Sequence, residues 1–166
     1  MYKCGEYIVY GYNGVCAVKD VTHLEMSGID RNALYYVLSP IHSADSTLYL
    51  PVENGKTVNR RIMTKEEATQ FIDAIDQTEE LWTANHKLRE ELYKTAMKTC
   101  DCREWIRIIK TLYCKKKERE SIGRRLSTSD ERFLKHAEEN LFSELALALS
   151  ISEKEARQLI IEKILA

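Results

Sequence analysis

Trp82 is the side chain of this 166-residue chain that points most directly to binding chemistry. We predict a helix over residues 79–98 with Trp82 near its start. The apolar face of that helix consists of Leu81, Leu88 and Leu92. At 100° per residue Trp82 lies well away from this face, in a column with His86, Arg89 and Tyr93. An indole ring on a basic flank can stack on nucleic-acid bases or enter between them. The alternative is that the ring covers the rim of a contact between domains, since tryptophan is highly buried on average.

A basic band follows Trp82 along the chain. Residues 94–125 carry a formal charge of +7, whereas residues 1–58, 59–93 and 126–166 carry −2, −3 and −3. A basic stretch between acidic segments is the electrostatic pattern expected of phosphate contact. A solvated helix face, with cations gathered near the negative end of the helix, gives a similar pattern.

The chain offers little for catalysis. It has no glycine-rich phosphate loop, no His-Glu-x-x-His and no Gly-x-Ser-x-Gly motif, so we expect no enzyme and no cofactor. Five cysteines form only one tight pair, Cys100-Asp101-Cys102, and a zinc site needs about four ligands. We expect reduced thiols and no metal, because their number is odd and no export signal is present. No apolar run approaches the roughly 20 residues that span a bilayer, which indicates a soluble, cytoplasmic protein without a membrane partner.

The elements that position these residues fall into two groups. Both prolines and five of the six glycines precede residue 56, where about five short strands are expected. The predicted strands are 7–10, 15–18, 34–38, 48–50 and 58–62. Five short strands in some 60 residues are typical of a small, bent antiparallel barrel of the SH3 or Tudor kind. We therefore predict an α+β protein, with a β domain at 1–62 and an all-α domain at 63–166.

The second group is helical. Four capping boxes, each a side-chain acceptor followed three residues later by an acid, start at Thr64, Asp101, Ser127 and Ser152. The predicted helices are 64–76, 79–98, 102–120, 129–149 and 153–164. The third helix has an apolar stripe that includes Trp105, which we therefore assign to the core.

Several segments, in this order, resemble the CarD/CdnL family of bacterial transcription regulators. They are Tyr7-Ile8-Val9-Tyr10 with Gly14-Val15, Tyr35-Tyr36-Val37-Leu38, Leu48-Tyr49-Leu50-Pro51-Val52-Glu53-Asn54, Trp82, and Ser143-Glu144-Leu145-Ala146-Leu147-Ala148. The similarity runs in register from about residue 3 to the C-terminus.

The resemblance implies two partners, the RNA polymerase β subunit and promoter DNA, for a chain that we expect to be a monomer. The β domain would add a strand to the β-subunit lobe, and an exposed edge strand suits that role. The segment expected at this edge is Leu48, Tyr49, Leu50 and Pro51. Trp82 would enter the minor groove at the upstream edge of the transcription bubble and stabilise the open complex.

Nearby basic residues would hold the phosphates. The candidates for DNA contact, with Trp82, are Lys87, Arg89, Lys94, Arg124 and Arg125. In the β domain, Tyr49 stands where a basic residue of the family often contacts the polymerase. Some relatives carry arginines two and three positions after the tryptophan, where this chain has Ala84 and Asn85. Phosphate contact would then be weaker or shifted toward the later basic residues.

Two other functions remain open. The protein could be an interaction module that binds a strand edge without touching DNA, or a free-standing nucleic-acid binder that uses the basic band. The first predicts that Trp82→Ala leaves open complexes unchanged, and the second predicts duplex binding with a steep salt dependence.

Overall fold

The computed structural model describes residues 1–53 and 57–166. The chain divides into two compact units, Met1–Ile62 and Met63–Ala166. Asn54, the last residue of one of the segments that resemble CarD/CdnL, lies outside the described residues.

The first unit is a five-stranded antiparallel sheet. Its strands are β1 (Tyr7–Tyr10), β2 (Val15–His23), β3 (Leu34–Pro40), β4 (Leu48–Pro51) and β5 (Asn59–Arg61). Their order in the sheet is β4-β3-β2-β1-β5, and every pairing is antiparallel. The predicted strands and α+β class are confirmed, although no pairing joins β4 to β5 in the described part of the chain. The sheet is thus open in its hydrogen bonding and barrel-like in strand order and size.

Alternating residues of these strands form one core. Ile8, Cys16, Val18, Leu38 and Leu50 are buried together with Tyr36. The turn between β1 and β2 is a single 3-10 turn over Gly11–Asn13, after which Gly14 takes a positive φ of 68°. Strand β2 extends five residues beyond the predicted end because a register shift between Val18 and Asp20 lets it continue pairing with β3.

The second unit is helical. Its helices are α1 (Lys65–Asp73), α2 (His86–Lys98), α3 (Cys102–Glu120), α4 (Thr128–Leu149) and α5 (Glu153–Leu165). Thr64, Ser127 and Ser152 accept a hydrogen bond from the amide three residues on, as the capping boxes predict. The side chain of Asp101 caps α3 by accepting from the amide of Arg103. None of the helices in the described ranges is long and apolar enough to cross a membrane.

One predicted helix was wrong at its start. Helix α2 begins at His86 and is capped by Asn85, so residues 79–85, which include Trp82, precede the helix. Its buried face consists of Arg89, Tyr93, Ala96 and Met97, whereas Leu88 is 47% exposed. The predicted leucine face is therefore not the packed one.

The helical core is built on α3 and α4. Trp105 is fully buried, as predicted, with Ile108, Ile109 and Leu112 of the same helix. The carboxylate of Glu144, on α4, is buried and accepts a hydrogen bond of 2.8 Å from the amide of Met63. Glu144 therefore fixes the beginning of the second unit, just before the Thr64 cap.

Candidate functional site

Trp82 lies in the middle of a non-helical segment that leads from a 3-10 turn at Ile75–Gln77 to α2. Its ring is partly buried and contacts two cations. The guanidinium carbon of Arg89 is 4.3 Å from the ring centroid, and Nζ of Lys115 is 4.8 Å from it. Each contact is within the range of a cation–π interaction. Each cation also pairs with a carboxylate, Arg89 with Asp130 and Lys115 with Glu118, whose Oε2 lies 3.3 Å from Nζ of Lys115.

Side chains of α2 and α3 hold the backbone on both sides of Trp82. The amide of Leu81 donates to Oγ1 of Thr111, and its carbonyl accepts from the hydroxyl of Tyr93, both at 2.9 Å. The carbonyl of Thr83 accepts from Nη1 of Arg89, also at 2.9 Å. Because Thr111, Tyr93 and Arg89 are buried, this segment is held in place before any partner binds.

Two more basic residues of α3 fix the segment that leads to Trp82. Nζ of Lys110 is 3.1 Å from the carbonyl of Thr78 and 3.3 Å from that of Asp76. The guanidinium of Arg107 lies 3.4 Å from the carbonyl of Glu79. Part of the positive charge counted in the basic band therefore binds the protein's own backbone.

Arg89 belongs to a buried ion pair. Its Nε and Nη2 donate to Oδ1 and Oδ2 of Asp130, each at 3.0 Å, and both residues are at least 95% buried. The Arg89 guanidinium thus binds the Asp130 carboxylate and lies beside the Trp82 ring. Its predicted contact with DNA stays a prediction.

At this site, burial raises the pKa of the Tyr93 phenol well above the usual range, and the neighbouring Asp130 carboxylate raises it further. The hydroxyl therefore remains protonated at neutral pH and keeps donating to Leu81.

The other predicted DNA contacts are exposed and dispersed. Lys87 and Lys94 are seven residues apart on α2, so they share one exposed face. Arg124 and Arg125 are exposed in the connection between α3 and α4. The structure brings Arg89 and Trp82 together, and among the described residues it shows no contact of these four cations with the ring.

Sequence reasoning did not single out Lys115, Asp130, Thr111 or Tyr93. Lys115 is one of three consecutive lysines, Lys115 to Lys117, in the basic band. Asp130 has the sequence position of the acid in the capping box that starts at Ser127. Tyr93 did stand in the predicted column with Trp82 and Arg89, which was the available signal.

The sulfur-containing side chains show no metal centre. Within residues 1–53 and 57–166 no three His, Cys, Asp or Glu side chains are grouped so as to hold a metal ion. None of the five cysteines is in a disulfide, and Sγ of Cys102 lies 3.8 Å from Sδ of Met63.

The first unit presents β4 as an edge strand, as predicted. The amide of Val52 donates to the carbonyl of Leu34, which sets the alternation of the β3–β4 ladder. By that alternation the backbone amides and carbonyls of Leu48 and Leu50 point toward β3. The backbone amide and carbonyl of Tyr49 point away from it. Pro51, the next outward residue, has no amide hydrogen. The outer edge of β4 therefore offers a donor and an acceptor at Tyr49, which is 40% exposed.

These observations define a protein with a small sheet that ends in an available edge and a helical unit that holds an indole among cations. Comparison with known families agrees with both halves. Residues 2–62 match the CarD-like/TRCF RID domain, and residues 68–161 match the CarD C-terminal domain. The chain belongs to the CarD family and is a CarD-like transcription regulator.

Proposed function

We propose that this protein docks on the β subunit of RNA polymerase through β4 and contacts promoter DNA at the upstream edge of the bubble through Trp82, thereby stabilising the open complex. The observation that carries the proposal is the fixed position of Trp82. It lies beside two cations in a segment whose backbone is bound on both sides.

The docking half rests on the outer edge of β4. A partner strand can pair with the outward amide and carbonyl of Tyr49, while Pro51 ends the available edge. Leu48, Leu50 and Pro51 then set the register of the added strand. The match of residues 2–62 to the CarD-like/TRCF RID domain supports this assignment to polymerase.

Capture of a recombinant β-subunit lobe by the full chain tests docking. Tyr49→Pro removes the outward donor without touching a β3–β4 hydrogen bond, and Tyr49→Ala removes the side chain but keeps the donor. We expect Tyr49→Pro to lose capture and Tyr49→Ala to retain most of it, with both variants folded by circular dichroism. Equal capture by wild type and Tyr49→Pro would rule out strand addition at this edge.

The DNA half rests on the chemistry around Trp82. An aromatic wedge gains most where the duplex is already distorted, as at a bubble edge, because unstacking there costs less. Arg89 positions the ring, and Lys115 exchanges its ion pair with the exposed Glu118 for a phosphate beside the contacted base step. Lys87, Lys94, Arg124 and Arg125 supply further phosphate contacts from exposed positions.

Binding to free DNA should be weak. The net charge of the chain is −1, and Lys110 and Arg107 of the basic band hold backbone carbonyls. Docking on polymerase supplies the local concentration that the weak DNA contact needs.

A further inference from the structure

The turn between α3 and α4 exposes an apolar side chain among cations. Ile122 is 68% exposed, more than any other large apolar residue in the described ranges except the terminal Met1. Single exposed aliphatic residues need no explanation in general. This one has Arg119, Arg124 and Arg125 within three residues of it in the chain and lies in an ordered turn.

Backbone hydrogen bonds fix the turn. The amides of Ile122 and Arg124 both donate to the carbonyl of Arg119, at 3.1 and 2.8 Å, and the amide of Gly123 donates to that of Glu120 at 3.1 Å. Gly123 has a φ of 72°, a conformation that glycine adopts without strain. Leu126 is buried just beyond, so Ile122 remains outside while the chain returns to the core.

A cavity beside this turn has both basic and acidic residues in its lining. Lys116, Arg124 and Arg125 line a cavity of about 430 Å³ next to the turn, together with Leu126 and two acids, Glu120 and Glu131. In the part of the chain that the structure describes, neither Arg124 nor Arg125 forms an ion pair through its guanidinium. These two guanidiniums are therefore available to an anionic partner.

The turn lies on the same side of α3 as Trp82. Lys115 contacts the Trp82 ring, and Ile122 follows it by seven residues, which is two helical turns. The backbone remains helical through Ser121, the C-cap of α3. At 1.5 Å per residue the separation along the axis is about 10 Å. One DNA strand covers that distance in about three nucleotides.

We propose that this turn is a second DNA contact, in which Ile122 enters the minor groove about three base pairs from the step contacted by Trp82. Arg124 and Arg125 bind the flanking phosphates. Isoleucine is among the apolar side chains that enter base steps, and the two unpaired guanidiniums match the charge of the DNA backbone. This inference rests on the DNA contact of the proposed function and adds a second point to it.

The test uses polymerase open complexes with the full chain and promoter DNA that carries 2-aminopurine at successive positions upstream of the bubble. With wild type we expect fluorescence increases at two steps about three base pairs apart. Ile122→Ser should abolish one increase and shorten the open-complex lifetime about tenfold or more, which corresponds to loss of one buried aliphatic side chain. Trp82→Ala should abolish the other increase.

Leu159→Ser is the matched control, since Leu159 is a 39% exposed leucine on α5. It should leave both fluorescence increases and the lifetime unchanged. If Ile122→Ser behaves like Leu159→Ser while Trp82→Ala loses its increase, the second contact is overturned and the proposed function stands. If wild type produces no increase at either step and no change in lifetime, the proposed DNA contact and this inference both fail.

Discussion

Arg89 and Asp130 form a two-point ion pair, with both nitrogen–oxygen distances at 3.0 Å, directly beside the indole of Trp82. The pair joins α2 to the first turn of α4. It also leaves Nη1 of Arg89 to bind the carbonyl of Thr83, the residue after Trp82. The orientation of the candidate DNA-contacting side chain is thus tied to the packing of the helical core.

Removing one member of this pair should destabilise the protein strongly. Asp130→Asn leaves the buried guanidinium without its counter-ion, and breaking a buried pair costs about 3–5 kcal/mol of unfolding free energy. Urea unfolding measures the loss. Glu131→Gln, at the exposed neighbouring position, is the control and should change stability by less than about 0.5 kcal/mol. A similarly small loss for Asp130→Asn would show that the pair is not essential to the fold.

Replacing both members separates stability from positioning. Arg89→Met combined with Asp130→Leu removes both charges and keeps apolar volume, a change that is often neutral or stabilising in other buried pairs. We expect the double variant to unfold within about 2 kcal/mol of wild type. Its Trp82 ring should be more accessible to acrylamide, measured by fluorescence quenching in a Trp105→Phe background. Unchanged quenching would mean that Arg89 does not hold the ring.

The fold should lose stability above pH 10 through Tyr93. The phenol has an ordinary pKa near 10 when unfolded and a higher pKa when folded. Below pH 10 both states are protonated and this stabilisation is fully present. Above it the unfolded state releases the proton first, and stability falls by up to about 1.4 kcal/mol per pH unit. The difference in unfolding free energy between wild type and Tyr93→Phe should therefore be constant below pH 10 and shift in favour of Tyr93→Phe above it. A difference that stays constant across this range would contradict the raised pKa.

The hydrogen bond from Leu81 to Thr111 can be tested by itself. Thr111→Val keeps the shape of a side chain that is 1% exposed but removes the acceptor, which should cost about 1–3 kcal/mol. Amide exchange at Leu81 should accelerate more than exchange in the α3 core. Thr69→Val serves as the control, because the Thr69 hydroxyl binds only its own helix at an exposed position. Equal exchange at Leu81 in all three proteins would argue against this hydrogen bond as a restraint.

Most element boundaries followed from local chemistry. The capping residues Thr64, Ser127 and Ser152 act within their own helix, so the sequence signal and the structure agree there. The strand positions agree for a similar reason, since alternation and glycine-rich turns are local patterns.

The site itself was harder to predict because long-range contacts build it. Glu79 and Glu80 resemble the first turn of a helix, yet Arg107 and Lys110, some 30 residues later, bind the backbone of this segment in a non-helical form. Likewise Asp130 has the sequence position of a capping acid, and its actual partner lies 41 residues earlier. Sequence alone identified Trp82 and Arg89 as neighbours but not the buried ion pair between Arg89 and Asp130.

The lifetime of promoter open complexes, measured after a heparin challenge, tests the central claim most directly. Wild type should prolong the lifetime, and Trp82→Ala should reduce that gain about tenfold, as expected for loss of one base–aromatic contact. Tyr49→Pro should abolish the gain at equal protein concentration because docking fails. If Trp82→Ala still captures the β-subunit lobe and prolongs the lifetime as wild type does, Trp82 is not the DNA contact and the account is contradicted.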